Sequence, residues 1–198
     1  MARDGGSKLG RDDWARAGFE MFTESGLDAV AVERVALRIG ATKGSFYWHF
    51  RDRRELVDAV LERWLAETEE IIDGVAAIDD PRARLRILFE RVLAQVPHDR
   101  GELDLIHRTG DPVVMKALER VSARRIAFVS EAFVGAGFTP DAARHRAVQT
   151  YAMWLGLVQL EVALPSLLHT SPEDAARFAA STVELLDDLL PGDYRPRG

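Results

Sequence analysis

Residues 32–50, VERVALRIGATKGSFYWHF, contain two short helical patterns that are separated by a turn at Gly40. The apolar positions of the first pattern recur at helical spacing and face inward: Val32, Val35, Ala36 and Ile39. In the second pattern Phe46 and Phe50 supply the inward face. Glycine relieves strain in a tight turn, and a small residue such as Ala36 lets two helices cross closely. The segment therefore predicts a helix-turn-helix motif.

The side chains left on the outside of the motif are polar or aromatic. They are Thr42, Lys43, Ser45, Tyr47, Trp48 and His49. Hydroxyls and cations bind phosphates and base edges in the major groove of DNA, and aromatic rings pack on sugars or thymine methyls. The alternative is that residues 47–49 pack against the next helix. Because consecutive helical positions point about 100° apart, at least one of these three large side chains must face outward.

Almost every other segment is typical of a helix. Four helix starts carry a capping oxygen followed by proline: Asp80-Pro81, Asp111-Pro112, Thr139-Pro140 and Ser171-Pro172. Glycines 26, 110 and 137 mark helix ends. These signals predict helices over about 8–25, 32–39, 43–49, 53–77, 81–97, 100–108, 112–136, 140–167 and 172–190. We expect an all-α protein of about nine helices.

The pattern divides the chain into two helical domains. We expect a three-helix helix-turn-helix domain over residues 8–56, with its motif at 32–50, and a larger helical domain over residues 57–190. The long helix between them carries an apolar stripe that includes Leu56, Val60 and Trp64. A loose tail is expected at residues 191–198 because few apolar residues remain there.

The composition excludes several classes of protein. The 198 residues include no cysteine, which removes disulfides, thiol nucleophiles and cysteine-based zinc sites. No stretch approaches the roughly 18 apolar residues of a membrane span, and the polar start does not resemble a secretory signal. We therefore expect a cytoplasmic protein that makes no membrane contact.

The charge is distributed unevenly along the chain. Residues 1–54 carry 10 Lys and Arg against 8 Asp and Glu, whereas residues 55–198 carry 16 against 24, and the net charge is −6. An acidic body would orient the N-terminal domain toward DNA, or it would only keep the surface soluble. The modest positive excess lies with the predicted motif.

Around the motif the sequence resembles the DNA-binding domain of the tetracycline-repressor (TetR) family. The resemblance covers roughly residues 8–58 and rests on residues 14–22, WARAGFEMF, with Gly26, and on Tyr47-Trp48-His49-Phe50 with Arg53 and Leu56. It implies that five residues approach bases: Lys43, Gly44, Ser45, Tyr47 and Trp48. It also implies that four residues hold phosphates: Thr42, Tyr47, His49 and Arg53. Two positions depart from the family pattern, since Ala31 replaces a capping Ser or Thr and Arg53 replaces Lys.

For the second domain, the resemblance implies a homodimer formed by the last two helices, about 140–167 and 172–190, around a ligand cavity. Apolar residues recur on both helices: Ala147, Tyr151, Leu155 and Val158, then Ala176, Ala179, Val183, Leu186 and Leu190. They cover a partner subunit or only the chain's own core. Candidate ligand-binding residues combine polar groups with apolar bulk: His107, Arg108, Met115, Arg125, Phe128, Tyr151 and Trp154.

The resemblance implies a dimeric repressor that binds a palindromic operator in double-stranded DNA and is released by a small-molecule effector. One alternative is an activator or architectural protein whose body only dimerises. Another is a metal-dependent enzyme that uses His98, Asp99, Glu102, Asp104 and His107, where His98 and Glu102 share a helical face. There is no HExxH-like motif, phosphate-binding glycine loop or nucleophile elbow. We therefore expect no catalytic residue, metal or cofactor.

Overall fold

Capping and helix-breaking residues set the helix boundaries in the computed structural model, which describes residues 9–95, 100–168 and 171–188. These residues form ten α-helices and one 3₁₀ helix at Leu27–Ala29, with no strand among them. The first helices are α1 (Arg11–Ser25), α2 (Val32–Arg38), α3 (Lys43–Phe46), α4 (Arg53–Ala76) and α5 (Pro81–Gln95). The others are α6 (Arg100–Ile106), α7 (Pro112–Gly135), α8 (Pro140–Ala163), α9 (Pro165–Leu168) and α10 (Pro172–Asp188). The all-α prediction is confirmed.

The four predicted proline-containing helix starts are all present. Asp111 accepts a hydrogen bond from the Val113 backbone N–H at 2.9 Å, and Thr139 caps α8 in the same way. Asp80 and Ser171 accept backbone N–H groups in the first turns of α5 and α10. These side chains satisfy N–H groups that have no partner within the helix, so they fix where each helix begins.

Two predicted helices end earlier than expected. The helix predicted over 140–167 ends at Ala163, and the separate α9 begins at Pro165. Proline has no N–H and disfavours the helical conformation in the residue before it, and Leu164 accordingly has φ −145° and ψ 54°. The helix predicted over 43–49 ends at Phe46, and residues 47–49 continue as turns. The described residues therefore hold ten helices instead of about nine.

One apolar core joins the two ends of the molecule. We call residues 9–52, which include α1 to α3, the head, and α5 to α10 the body; α4 connects them. The core contains Trp14, Phe22, Phe46 and Phe50 from the head, Leu56, Val60 and Trp64 from α4, and Leu105, Val114 and Val121 from α6 and α7. Because Leu56, Val60 and Trp64 belong to this core, the N-terminal half of α4 is packed against the head.

The body packs around the second half of α4. Ile72 and Val75 of α4 contact Leu88 of α5 and Phe128 of α7 in a separate buried cluster. A further cluster joins α5, α7 and α8 through Leu85, Phe133 and Ala147, among others. Within the described residues, no helix is both long and apolar enough to cross a membrane. The expected loose tail at 191–198 and the predicted helical residues 96–97 and 189–190 lie outside the described residues.

Candidate DNA-binding surface and body cavity

The motif is held by aromatic residues beneath it. Phe46 is fully buried and Phe50 is 2% exposed. The ring of Phe46 lies 5.3 Å from that of Trp14 in an edge-on arrangement and 5.3 Å from that of Phe50 in a stack. Gly40 has φ 66°, the left-handed conformation that the turn between α2 and α3 requires. These contacts fix α3 and the following turn on the head.

The predicted outward residues lie on this anchored segment. Tyr47 is 58% exposed and Trp48 is 86% exposed. Thr42, Lys43 and Gly44 are exposed as well, whereas Ser45 and His49 are half-buried. The alternative interpretation, that residues 47–49 pack against α4, is therefore wrong for Trp48. The polar and aromatic side chains form one accessible surface.

The hydroxyl groups of this surface are preorganised by the helix cap. Thr42 Oγ1 accepts a hydrogen bond from the Ser45 backbone N–H at 3.2 Å, and Ser45 Oγ donates to the Thr42 carbonyl at 2.7 Å. A hydroxyl that accepts a hydrogen bond still has a proton to donate. Thr42 can therefore donate to a phosphate oxygen without losing its role as the cap.

The cations of the head are held by nearby acids. Lys43 Nζ lies 2.5 Å from Glu33 Oε1, and this hydrogen bond raises the pKa of Lys43 and lowers that of Glu33. Arg38 pairs with Glu24 at 2.6 Å. Arg11 pairs with Glu55 at 2.9 Å. A phosphate must replace a carboxylate before it gains the full contact with these cations.

Arg53 has a structural role that the sequence did not predict. Its guanidinium donates to the carbonyls of Val30, at 2.7 Å, and Leu27, at 2.6 Å. These bonds tie the start of α4 to the segment before α2, where Ala31 provides no capping side chain. Only the remaining N–H groups of Arg53 can serve the predicted phosphate contact.

The body contains a cavity of about 240 Å³ between α1, α4, α5, α7 and α8. Four of the seven candidate ligand-binding residues line it: Arg125, Phe128, Tyr151 and Trp154. The other three candidates, His107, Arg108 and Met115, do not line this cavity. His107 is exposed and bonds the Leu103 carbonyl at 2.7 Å. Met115 lies near the start of α7, which packs against the head core through Val114.

A buried acid at the edge of the cavity was missed as a ligand-site residue. Glu102 is fully buried, and its carboxylate contacts Arg125 Nη1 at 2.6 Å and accepts from the Tyr151 hydroxyl at 2.6 Å. Burial, and then the negative charge of Glu102, raise the pKa of Tyr151. Glu102 lies three positions before the fully buried Leu105 on α6. That helical spacing was the available signal that this acid faces inward.

The candidate metal ligands do not converge on one point. Glu102 binds Arg125 and Tyr151, Asp104 binds the head, and His107 binds a backbone carbonyl. In the described parts of the chain, no group of three or more His, Asp or Glu side chains is placed to hold a metal ion. His98 and Asp99 lie outside those parts.

Helix α6 connects the cavity with the head. Asp104, two residues after Glu102, accepts hydrogen bonds from the Leu27 backbone N–H and from Arg108 Nε, both at 2.8 Å. Arg108 also pairs with Asp28 at 2.8 Å, and its pKa is raised by the hydrogen bonds to Asp104 and Asp28. Gly26 has φ 77°, and a Cβ there would lie 2.8 Å from Asp104 Cγ. The junction therefore requires glycine at residue 26 for both conformation and space.

Of the two interpretations of the apolar residues on α8, burial favours the one in which they cover the chain's own core. Ala147 and Val158 are fully buried within the chain, and Tyr151 lines the cavity. Ala147 packs with Phe133 of α7, and Val158 packs with Leu93 of α5, so these residues cover the chain's own core. The matching residues of α10 (Ala176, Ala179, Val183 and Leu186) and Leu190 lie outside the described side chains. Large apolar residues are instead exposed at Val148, Leu160, Leu164, Leu167 and Leu185.

Comparison with known proteins assigns the head. A family model for bacterial regulatory proteins of the tetR family matches residues 16–60. The class A tetracycline repressor from transposon 1721 of Escherichia coli is 38% identical over 61 residues, which are 31% of this chain and 28% of the repressor. The HTH-type transcriptional repressor KstR2 of Mycobacterium tuberculosis is 33% identical over 87 residues, 42% of each chain. The chain thus spans less than half the length of these relatives.

The whole fold also has a solved counterpart. A transcriptional regulator from Rhodococcus sp. Rha1 superposes with a TM-score of 0.72 at 22% identity, and the match covers 95% of this chain and 100% of the other. At this identity the likeness establishes the fold alone. The resemblance of residues 16–60 to the TetR family is confirmed, and the relatives that match there are repressors.

Proposed function

We propose, on the premise that residues 16–60 form a tetR-family DNA-binding domain, that this protein is a dimeric transcriptional repressor of the bacterial cytoplasm. It binds a palindromic operator and leaves it when a small molecule occupies the body cavity. The domain assignment is residues 8–56 for operator binding and 57–190 for ligand binding and dimerisation.

One observation carries the proposal for DNA. Tyr47 and Trp48, 58% and 86% exposed, lie on a turn anchored by the buried Phe46, next to Lys43 and Thr42. Large exposed aromatic side chains cost solvation energy, and their presence on a rigid segment beside cations fits a surface that contacts sugars, bases and phosphates. The outward residues are those that the family resemblance assigns to DNA.

The exposed apolar face of α8 to α10 supports the dimer. Val148, Ala152, Gly156 and Leu160 fall on one side of α8, and a Cβ at Gly156 would meet nothing within 4 Å. Leu164 and Leu167 of the α8–α9 break are 50% and 70% exposed. A second copy would cover this face, with its small residues allowing the helices to approach closely. Two-fold symmetry in the protein then matches two-fold symmetry in the operator.

Sedimentation of the double variant Val148→Glu and Leu160→Glu tests the dimer. We expect the wild type to sediment as a dimer and the variant as a folded monomer, because two buried carboxylates on each copy would repel one another. Leu37→Glu is the matched control, since Leu37 is 82% exposed in the head. A double variant that remains dimeric would contradict this interface.

The transmission of ligand binding rests on α4. Trp64, Thr68 and Ile72 of α4 line the cavity, and the N-terminal half of the same helix belongs to the head core. A ligand that pushes on this wall shifts α4 and with it the spacing of the two recognition segments. Ligand and operator then weaken each other's binding by the same factor. Equal ligand affinity with and without operator would contradict the mechanism.

Selection of genomic DNA fragments bound by the purified protein supplies the operator, and gel shifts then test the surface. We expect Lys43→Ala and Tyr47→Ala to abolish operator binding while circular dichroism and thermal melting stay unchanged. Lys116→Ala, at an exposed lysine of α7, is the matched control and should bind as the wild type does. Wild-type affinity in both head variants would overturn the proposed function.

A further inference from the structure

We infer that the body cavity binds an uncharged, ring-containing molecule that carries an oxygen acceptor, such as a ketone, ester or lactone. The inference deepens the proposed ligand release and rests on it. It follows from three properties of the cavity: the rings that line it, the polar groups that lack partners, and the balance of charge.

The wall of the cavity is mostly aromatic and aliphatic. Rings come from α1, α4, α5, α7 and α8: Phe19, Trp64, Phe89, Phe128, Tyr151 and Trp154. The Tyr151 and Trp154 rings stack at 5.8 Å with an angle of 15° between their planes. Flat apolar walls favour a flat apolar ligand, because each surface that leaves water contributes to binding.

Three polar groups in the wall lack a partner. Thr68 Oγ1, Thr150 Oγ1 and Trp154 Nε1 are buried and have no hydrogen-bond partner among the described residues. Thr68 is 2% exposed and Thr150 is 7% exposed, and both residues line the cavity with Trp154. Thr150 and Trp154 are four residues apart on α8, so their side chains share one face. Buried groups of this kind are normally hydrogen-bonded.

The indole N–H determines the polarity of the ligand group. It can only donate, whereas each threonine hydroxyl can donate or accept. An oxygen with two lone pairs can accept from Trp154 Nε1 and from one hydroxyl at the same time. An apolar ligand of equal size would leave all three groups buried without partners, which costs affinity. The cavity therefore selects a ligand with an acceptor oxygen.

The charges of the cavity are already matched within the chain. Arg125 is neutralised by the fully buried Glu102 at 2.6 Å. Its guanidinium also lies 5.5 Å from the Trp64 ring centre and 5.0 Å from that of Trp154. A cationic ligand would find one face of each indole already occupied by a protein cation. An anionic ligand would have to compete with Glu102 for Arg125.

The second charged residue in the wall does not change this balance. Glu67 lies on α4, its side chain is 41% exposed, and its carboxylate is 3.7 Å from Arg63 Nη2. Solvent screens a half-exposed acid of this kind far more than it screens the Glu102–Arg125 pair. An uncharged ligand is therefore the one that binds without breaking a buried ion pair.

Four naphthalene probes of nearly equal shape test the inference by calorimetry on the intact protein. They are acetylnaphthalene, which is neutral with an acceptor oxygen; ethylnaphthalene, which lacks the oxygen; naphthoate, an anion; and naphthyltrimethylammonium, a cation. We expect acetylnaphthalene to bind most tightly, with about three- to tenfold lower affinity for ethylnaphthalene. Tighter binding of either charged probe, or no binding of acetylnaphthalene, would overturn the inference.

Substitutions in the wall assign the hydrogen bonds. Thr150→Val and Trp154→Phe should each lower the affinity for acetylnaphthalene by about three- to tenfold and leave that for ethylnaphthalene unchanged. Thr182→Val is the matched control, because Thr182 is equally buried at 7% exposure but bonds the Phe178 carbonyl in α10. Equal losses for both probes would show a packing defect and would overturn the assignment of these groups.

The variant Glu102→Gln tests whether this acid determines which ligand charge the cavity accepts. In Glu102→Gln the guanidinium of Arg125 no longer faces the Glu102 carboxylate, so the affinity for naphthoate should rise on the order of tenfold while that for acetylnaphthalene changes little. An unchanged affinity for naphthoate in a folded variant would overturn the charge argument. Should this variant not fold, the probe series and the α8 variants still decide the inference.

Failure of this inference is distinguishable from failure of the proposed function. Operator binding is measured by gel shift without any probe. If the protein binds its operator but acetylnaphthalene fails to bind, the ligand class is wrong and the repressor stands. If acetylnaphthalene binds tightly but no genomic fragment is selected, the cavity chemistry stands and the DNA-binding proposal fails.

Discussion

The head and the body each carry a tyrosine and a tryptophan close together, but in opposite environments. Tyr47 and Trp48 of the head are 58% and 86% exposed. Tyr151 and Trp154 of the body stack on each other in the wall of a cavity, and the Trp154 N–H is buried. A DNA duplex is too large for a protein to enclose, so a DNA-binding surface must expose its rings on a segment that is anchored by buried residues. A small molecule is held best by rings that surround it.

The two regions also treat acids differently. Glu33 in the head is exposed and pairs with the exposed Lys43. Glu102 in the body is fully buried between Arg125 and Tyr151. The head pair can open when another anion arrives, whereas the body pair holds the architecture of the cavity. Substitutions of these acids and of the two tryptophans should therefore affect DNA binding in the head and stability in the body.

The largest effect is expected from Glu102→Ala. It removes the buried carboxylate that pairs with Arg125 and accepts from Tyr151, so the free energy of unfolding should fall by about 3 kcal/mol. Glu33→Ala is the matched control and should leave the urea midpoint unchanged, because its partner is solvated. The measurement is urea denaturation at a fixed protein concentration. Equal urea midpoints for the two variants would contradict the prediction that Glu102 stabilises the fold and Glu33 does not.

The two tryptophans should separate stability from binding. Trp154→Ala should lower the free energy of unfolding by about 2 kcal/mol, since the side chain is packed but only partly buried. Trp48→Ala should change it by less than about 0.5 kcal/mol and weaken operator binding by at least about tenfold. Denaturation and gel shifts on both variants measure this. A destabilised Trp48→Ala would mean that its ring is not a solvent-exposed contact.

A third prediction concerns the junction between the regions. Gly26 and Gly137 both have positive φ, 77° and 104°, but only a Cβ at residue 26 would meet a neighbour, Asp104. Both alanine variants lose stability because alanine disfavours a positive φ. Gly26→Ala should be about 1 kcal/mol less stable than Gly137→Ala, because only its Cβ would also clash with Asp104. Thermal melting compares the two. Equal losses would show that Asp104 does not pack on the head in solution.

The smallest effect is expected from Glu33→Gln. Removing the carboxylate frees Lys43 for phosphate and removes a negative charge from the DNA-facing surface, so operator affinity should rise about two- to fivefold at low salt. Fluorescence anisotropy with labelled operator detects a change of this size. The gain should shrink as salt is added. Reduced affinity would mean that Glu33 positions Lys43 for DNA.

Local chemistry explains what the sequence could predict. The caps at Asp111 and Thr139 are decided within a few residues, and the helix starts followed from them. The outward residues of the motif are also decided locally, because they flank the buried Phe46 and Phe50, although α3 ends at Phe46. Pro165 was present in the sequence, yet the break between α8 and α9 was missed because apolar residues continue past it.

Tertiary pairing explains what the sequence could not predict. Helix α8 carries apolar residues on more than one side, so its periodicity did not distinguish the buried Ala147 from the exposed Val148. Glu102 lies at the edge of the cavity only because α6 places it against Arg125, which lies 23 positions later. The carbonyl partners of Arg53 are likewise distant in the chain. Each of these facts depends on which helices meet.

The pairing of the head's cations with acids bears on how such a protein would find its site. When Lys43, Arg38 and Arg11 approach a random stretch of duplex, each must give up a carboxylate, so fewer counterions are released overall and the encounter is weak. We expect brief residence on random DNA and a search conducted largely by free diffusion. Only a DNA sequence that also contacts the exposed rings and hydroxyls would give the bound protein a long residence time.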